Sequence, residues 1–227
     1  MRFSWRAEGP LLLVVAAMFV VAAATWPTAP DRIPIHWNLQ GPDGYGSKFE
    51  GLLLFPLLTL GFYVLTLLLP RIDPGRANYA QFAGIYLASR LVVLLFMAAS
   101  YALMQLAIHG YELNVSKVAI MLTGFMLVFL GNLMSKIRPN WFFGIRTPWT
   151  LSSKLSWDRT HRLGGWMFMV GGVFLIASVA APPRLTLAIG VAVVVVMVAT
   201  LFTYSYFVWR TDPDKHPPAG TLPAEPI

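Results

Sequence analysis

The chain contains no cysteine, which excludes disulfides, thiol catalysis and cysteine-ligated metal sites. Charge is scarce as well. Asp, Glu, Lys and Arg make up 12% of the 227 residues, against about 25% in an ordinary soluble domain, so the chain has too few charges to cover a water-facing surface. Its four histidines, His36, His109, His161 and His216, are scattered without ligand spacing. No HExxH, glycine-rich phosphate loop or GxSxG string occurs, so no metal or cofactor is expected. No internal repeat relates the first half of the chain to the second, which argues against an inverted-repeat transporter.

Apolar sequence is what the chain has in abundance. Hydrophobic residues are 57% of the total and gather into six runs: Pro10–Trp26, Leu52–Leu69, Ile85–Ile108, Val118–Met134, Met167–Ala181 and Leu185–Val208. A helix rises about 1.5 Å per residue, so roughly 20 residues cross a hydrocarbon core of about 30 Å. Four runs meet that length; the first and fifth need flanking residues such as Trp26 and Trp166. Hydrocarbon offers the backbone no hydrogen-bond partner, so such spans are helical. The expected fold is an all-α integral membrane protein, a six-transmembrane-helix bundle. The first run follows the basic segment Met1–Arg6 and contains Ala22-Ala23-Ala24, which imitates a signal peptide. Because the run continues to Trp26, it is read as a retained span.

With six spans and a cytoplasmic N-terminus, twelve of the 17 basic residues fall on the cytoplasmic side. Arg32, Lys48, Lys117 and Arg184 fall outside, and Arg90 lies within the third span. Basic residues resist translocation, so this asymmetry puts both termini in the cytoplasm and the net charge of +7 mostly on the inner face. That charge suits anionic lipid headgroups. It is spread over several loops and requires no nucleic acid. The sequence divides into a two-span region (residues 1–70), a four-span region (71–210) and a proline-rich tail (211–227) expected to be disordered.

Two loops carry the chemistry. In the outer one, about residues 27–49, Ile33, Ile35, Trp37 and Leu39 alternate with Pro34, His36, Asn38 and Gln40. A period of two predicts a short extended segment, kept to an edge by Pro34. The turn-rich string Gly41-Pro42-Asp43-Gly44-Tyr45-Gly46 follows, so a small hairpin-like cap is expected. Its apolar face either seals the cap or offers an edge to an extended peptide. The cytoplasmic loop, Ser135–Arg162, carries six basic residues against one acidic, Asp158. Trp141, Trp149 and Trp157 give it the amphipathic character of a headgroup-anchored belt. Pro139 and Pro148 break any helix, and a new helix is predicted to start near Ser152 or Ser153. On that helix Lys154–Asp158 and Asp158–Arg162 are ion-pair spacings, and Asp158 and His161 are close enough to touch.

The strings Gly131-Asn132, Pro139-Asn140, Phe143-Gly144-Ile145-Arg146-Thr147-Pro148-Trp149-Thr150 and Trp157 with Thr160-His161-Arg162 resemble the signature of the SdpI family of bacterial immunity proteins. The outer string Ile33-Pro34-Ile35-His36-Trp37, with Gly41-Pro42-Asp43-Gly44-Tyr45-Gly46-Ser47-Lys48, resembles an uncharacterised membrane domain often found ahead of that family. The resemblance implies a protein that protects a bacterium from a secreted peptide toxin and captures a cytosolic repressor at the membrane. It makes Asn132, Pro139, Asn140, Phe143, Gly144, Arg146, Thr147, Trp149, Trp157, Asp158, Thr160 and His161 the inner candidates for partner binding. Pro34, His36, Trp37, Gly41, Asp43, Gly44 and Lys48 are the outer candidates. Arg90 and Gln105 are polar groups within a span, where an arginine is either paired or snorkels to the headgroups. Asn132 at the end of a span is expected to cap or cross-link helices. Two other classes stay open: an integral-membrane enzyme using Asp158 and His161 as an acid–base pair with Arg146 as anion clamp, and a toxin exporter.

Overall fold

A computed structural model describes residues 4–216. The order is helix α1 (Trp5–Thr25), strands β1 (Ile33–Asn38) and β2 (Gly41–Gly46), helices α2 (Leu54–Ile72), α3 (Ala83–Ile108) and α4 (Val115–Met134), a one-turn helix α5 (Pro148–Leu151), then α6 (Lys154–Ser178) and α7 (Pro183–Arg210). A π-helical turn, Phe49–Leu53, leads into α2, and a 3-10 segment, Arg76–Phe82, leads into α3. Consecutive long helices run between two ends of a bundle, one bearing the β-hairpin and the other the loop before α6.

Among the described residues, five helices are long and apolar enough to cross a membrane: Trp5–Thr25, Phe49–Ile72, Arg76–Ile108, Val115–Met134 and Pro183–Arg210. Helix α6 has 25 residues, but Lys154, Asp158, Arg159 and Arg162 make its first turns polar. Its apolar part is correspondingly short. The outward faces are greasy: Leu187, Val191, Val194, Val195 and Val198 on α7 are all more than half exposed. An apolar face of that extent is a liability in water and suited to hydrocarbon.

Three buried clusters stack along the bundle. Met18, Ala22, Ile33, Leu52, Tyr101 and Met104 lie at the hairpin end. Leu11, Val15, Tyr63 and Leu94 join α1, α2 and α3 further along, and Tyr79, Phe82, Tyr86, Met134, Ile137 and Trp157 fill the loop end. The closest helix pair is α4 with α6, which run antiparallel along a seam of glycines. A Cβ at Gly124 would lie 2.7 Å from the Gly172 carbonyl oxygen, and one at Gly131 would lie 2.6 Å from that of Gly165. Seven residues separate the glycines on each helix, two full turns, so both fall on one face. Without a hydrophobic drive between helices in lipid, such close backbone approach is what holds a pair together.

Candidate functional site

The loop end is assembled around buried polar groups whose partners are nearly all backbone. Asn140, 2% exposed, donates from Nδ2 to the carbonyls of Arg138 and Phe143 and accepts at Oδ1 from the amides of Phe142 and Phe143. Asp73, which follows α2, is also buried. It accepts from the amides of Gly75 and Trp141 and from the Tyr79 hydroxyl at 2.9 Å. The Asn78 side chain donates to the Pro139 carbonyl at 2.7 Å. The connection between α2 and α3 and the one after α4 are thus knitted into one unit.

His161 is the hub of the next stretch. Ile145 donates its amide to Nε2 at 2.9 Å. The ring proton therefore sits on Nδ1, which donates to the Trp157 carbonyl at 2.9 Å. Burial pushes its pKa down from 6.5 to about 4, only partly offset by the Trp157 carbonyl and the Asp158 charge; the imidazole is neutral at ordinary pH. It stacks on Trp157 with ring centroids 4.0 Å apart. Gly144 passes over it with φ +105, and a Cβ there would lie within 2.4 Å of Nε2. Only glycine satisfies both the positive φ and the space. Thr147 then caps α5 with a reciprocal capping box to Thr150, and its hydroxyl donates to Ser205 on α7 at 3.0 Å. Trp149 lies edge-on to Phe202 and Tyr206. Ser153 caps α6, accepting from the Ser156 amide, and donates its hydroxyl to Asp212.

Three expectations for this loop are corrected. Trp157 is no membrane belt residue: it is fully buried and donates Nε1 to the Ile137 carbonyl at 2.9 Å. Asp158 and His161 form no acid–base pair, because Asp158 is partly exposed and pairs with Lys154 at 2.8 Å while both imidazole nitrogens face backbone groups. Asn132 links no helices; it is exposed on α4 and makes no side-chain hydrogen bond among the described residues. The start of α6 after Ser153 agrees with the capping signal. Thr160 is buried with its hydroxyl unpartnered among the described residues. Arg146 is exposed and donates to the Trp141 carbonyl at 3.2 Å. Thr211–His216, expected to be free tail, fold back: the His216 amide donates to the Ser152 carbonyl and Trp209 Nε1 to the His216 carbonyl. Residues 217–227 lie outside the described part.

Within the helices, Arg90 resolves in favour of pairing. It is 3% exposed and donates to both carboxylate oxygens of Glu8 on α1, at 2.8 and 2.9 Å, and from Nε to Thr66 on α2 at 3.1 Å. The rings of Tyr63 and Tyr86 lie 5.4 and 5.9 Å from the guanidinium. One ion pair therefore joins three helices, and its two-fold geometry is the strong form of carboxylate recognition. Gln105 contrasts with it: its side-chain amide is buried, with no hydrogen bond of good geometry among the described residues.

At the hairpin end the period-two segment is a strand. β1 pairs antiparallel with β2 in the register Ile33 with Gly46, Pro34 with Tyr45 and Asn38 with Gly41, with irregularities around His36. Asn38 Oδ1 accepts from the amides of Gln40 and Gly41, and Gly41 takes φ +142 to close the turn. His36 and Asp43 meet at 2.5 Å on the exposed face, and the hydrogen bond from His36 holds the Asp43 carboxyl below its usual range. Gly44 is pressed on His36, where a Cβ would meet the histidine Cβ at 2.9 Å. Ile33 is buried against Gly51, while Ile35 stays exposed. Lys48 reaches the Trp26 carbonyl and Asp31 at 3.4 and 3.6 Å. Trp37 and Pro34 line a cleft of about 440 Å³, and Ile35, His36 and Trp37 face another of about 640 Å³ toward Arg184 on α7.

Glu8, Asp73, Asn78, Tyr79 and Ser205 all do work that sequence reasoning missed. Glu8 had a usable signal, since an acidic residue at the head of an apolar run needs a cationic partner, and Arg90 was waiting for one.

Known proteins resemble the chain in both halves. Residues 136–207 match the SdpI/YfhL protein family, and residues 13–60 match a domain of unknown function, DUF1648. The chain is 27% identical to the protein named Immunity protein SdpI of Bacillus subtilis (strain 168), over 86% of this chain and 93% of that relative. No solved structure matches it. The glycine at positive φ, the buried histidine beneath it and the α6 face that carries that histidine all lie in the segment 136–207, the part of the chain that is similar to the SdpI/YfhL family, with the DUF1648 match ahead of it.

Proposed function

We propose that this protein is a membrane immunity protein that gives a bacterium resistance to a secreted antimicrobial peptide. The observation that carries the reading is similarity to an immunity protein along 86% of the chain, covering the hairpin end and the loop end together. In this reading the apolar part of α6 supplies a sixth crossing beside α4, both termini are cytoplasmic, and the hairpin faces outward. The charge asymmetry supports that orientation. The clefts around Trp37 supply room for a peptide, and the exposed Trp141 and Phe142 beside Arg138 and Arg146 supply a surface for a cytosolic repressor. The engagement of both His161 nitrogens by backbone favours this non-enzymatic role over acid–base catalysis.

The mechanism would couple the two faces. A peptide that binds one arrangement of the helices better than another shifts the population, and a coupling of about 1–3 kcal/mol changes affinity on the other face about 5–150-fold. The test is survival of a Bacillus subtilis strain lacking its own immunity protein, challenged with the peptide toxin of producing siblings, with and without this chain. Protection at equal membrane levels supports the reading. No protection at full expression refutes resistance to that toxin. An Arg146→Ala variant that protects normally but no longer recruits a repressor to membranes would separate the two roles.

A further inference from the structure

Arg90 has five N–H donors. Glu8 takes one from each terminal nitrogen and Thr66 takes the one on Nε; Tyr63 also interacts with the guanidinium, and the two other terminal donors make no further hydrogen bond of good geometry among the described residues. Beside them lies a cavity of about 260 Å³ between α1, α2 and α3. Arg71, in the last turn of α2, also lines it. It is exposed and has no ion pair or hydrogen bond to a side chain among the described residues. Glu8 balances Arg90, so Arg71 leaves the lining with one uncompensated positive charge. Leu67 and Leu87 contribute apolar wall on the flank of two helices long enough to span a membrane.

A buried arginine with spare donors, a free arginine on the exposed side and an apolar wall between membrane helices together describe a receptor for a charged amphiphile. We propose that this cavity binds the phosphate of an anionic membrane lipid. Arg71 and the two remaining Arg90 donors face the phosphate oxygens, and Leu67 and Leu87 pack against the glycerol and first methylenes. A free phosphate ion would satisfy the arginines but leave the apolar wall uncovered. The lipid would brace α1, α2 and α3 at the loop end, on the same residues that hold the buried ion pair.

The experiment is native mass spectrometry of the purified full-length protein in detergent, titrated with phosphatidylglycerol, phosphatidylcholine and inorganic phosphate. Phosphatidylglycerol is expected to be retained in preference to phosphatidylcholine and not displaced by millimolar phosphate. Arg71→Gln should weaken retention about fivefold, the share of one basic residue in attraction to anionic lipid. Gly84→Leu provides a second variant that keeps the fold: Gly84 lines the cavity, and a Cβ there meets nothing within 4 Å, so the new side chain enters open space. It should also weaken retention. Equal retention by the parent and both variants overturns the proposal, and so does displacement by inorganic phosphate, which would make the site one for a free anion.

Discussion

The two ends of the bundle solve the problem of polar groups in opposite ways. At the loop end Asn140, Asp73, His161 and Thr150 are all buried, and their hydrogen bonds close within the protein, mostly on its own backbone. At the hairpin end the hydrogen bond between His36 and Asp43 is exposed, and open clefts flank Trp37. The polar, tryptophan-rich segment before α6 looks like a contact surface in sequence, yet most of its distinctive residues are spent on holding one loop in one shape. What it offers a partner is the remainder, chiefly Trp141, Phe142, Arg138 and Arg146. The hairpin end has less internal bonding and more room.

The largest effect is expected at Arg90, toward the loop end of α3. Arg90→Ala strands a buried carboxylate and is expected to cost about 3–5 kcal/mol, read as a fall in thermal midpoint in detergent. Replacing both partners, Glu8→Leu with Arg90→Met, should recover most of that loss. A double variant as unstable as the single one would show that Thr66 and the tyrosines, not the ion pair, carry the joint.

Next comes pH, which distinguishes the ends by the window of their titrations, the sign being the same at both. His161 has its folded pKa lowered from 6.5 to about 4, so the unfolded chain takes up a proton before the folded one does. Its contribution is fully present above pH 6.5 and is lost progressively as pH falls toward 4, about 3 kcal/mol in all. His161→Gln should flatten that part of the stability profile. Asp43 also has a lowered folded pKa, so its contribution is present above 3.8 and lost at more acid pH. A profile that breaks near pH 4 and not from 6.5 downward would refute the buried neutral imidazole.

Gly144→Ala and Gly131→Val probe close approach at and beside the loop end. The first adds a Cβ onto His161 at a positive φ, and the second forces α4 from α6; each is expected to cost about 1–3 kcal/mol. The smallest effect belongs to the exposed pair of Lys154 and Asp158. Lys154→Ala should change stability by about 0.5 kcal/mol or less, measured by the same thermal midpoint, and a larger loss would mean that the outer face of α6 is covered.

The sequence was legible wherever the controlling rule is local. Lipid demands about 20 apolar residues, so the long helices could be read from composition, α6 only in its apolar part from Met167, because its first turns are polar. Alternation with Pro34 and a glycine-rich turn gave the hairpin, and Ser153 marked the start of α6. The site was less legible. Whether Trp157 meets headgroups or the interior, and whether His161 meets Asp158 or backbone, depends on which way the preceding loop folds over α6. Both questions were decided by residues outside the helix, Ile137 and Ile145.

By itself, then, the sequence determined long apolar helices suited to a membrane, a capped end, a basic loop and a resemblance to the SdpI family, because hydropathy, turn chemistry and motif spacing act over a few residues. Only the tertiary structure decided that Arg90 pairs with Glu8, 82 positions away, that Asp73 anchors Trp141, and that two pairs of glycines bring α4 and α6 into backbone contact. Those choices turn on distance in space: a buried charge or an unfilled hydrogen bond takes whichever partner the packing brings within about 3 Å, and no local rule names that partner.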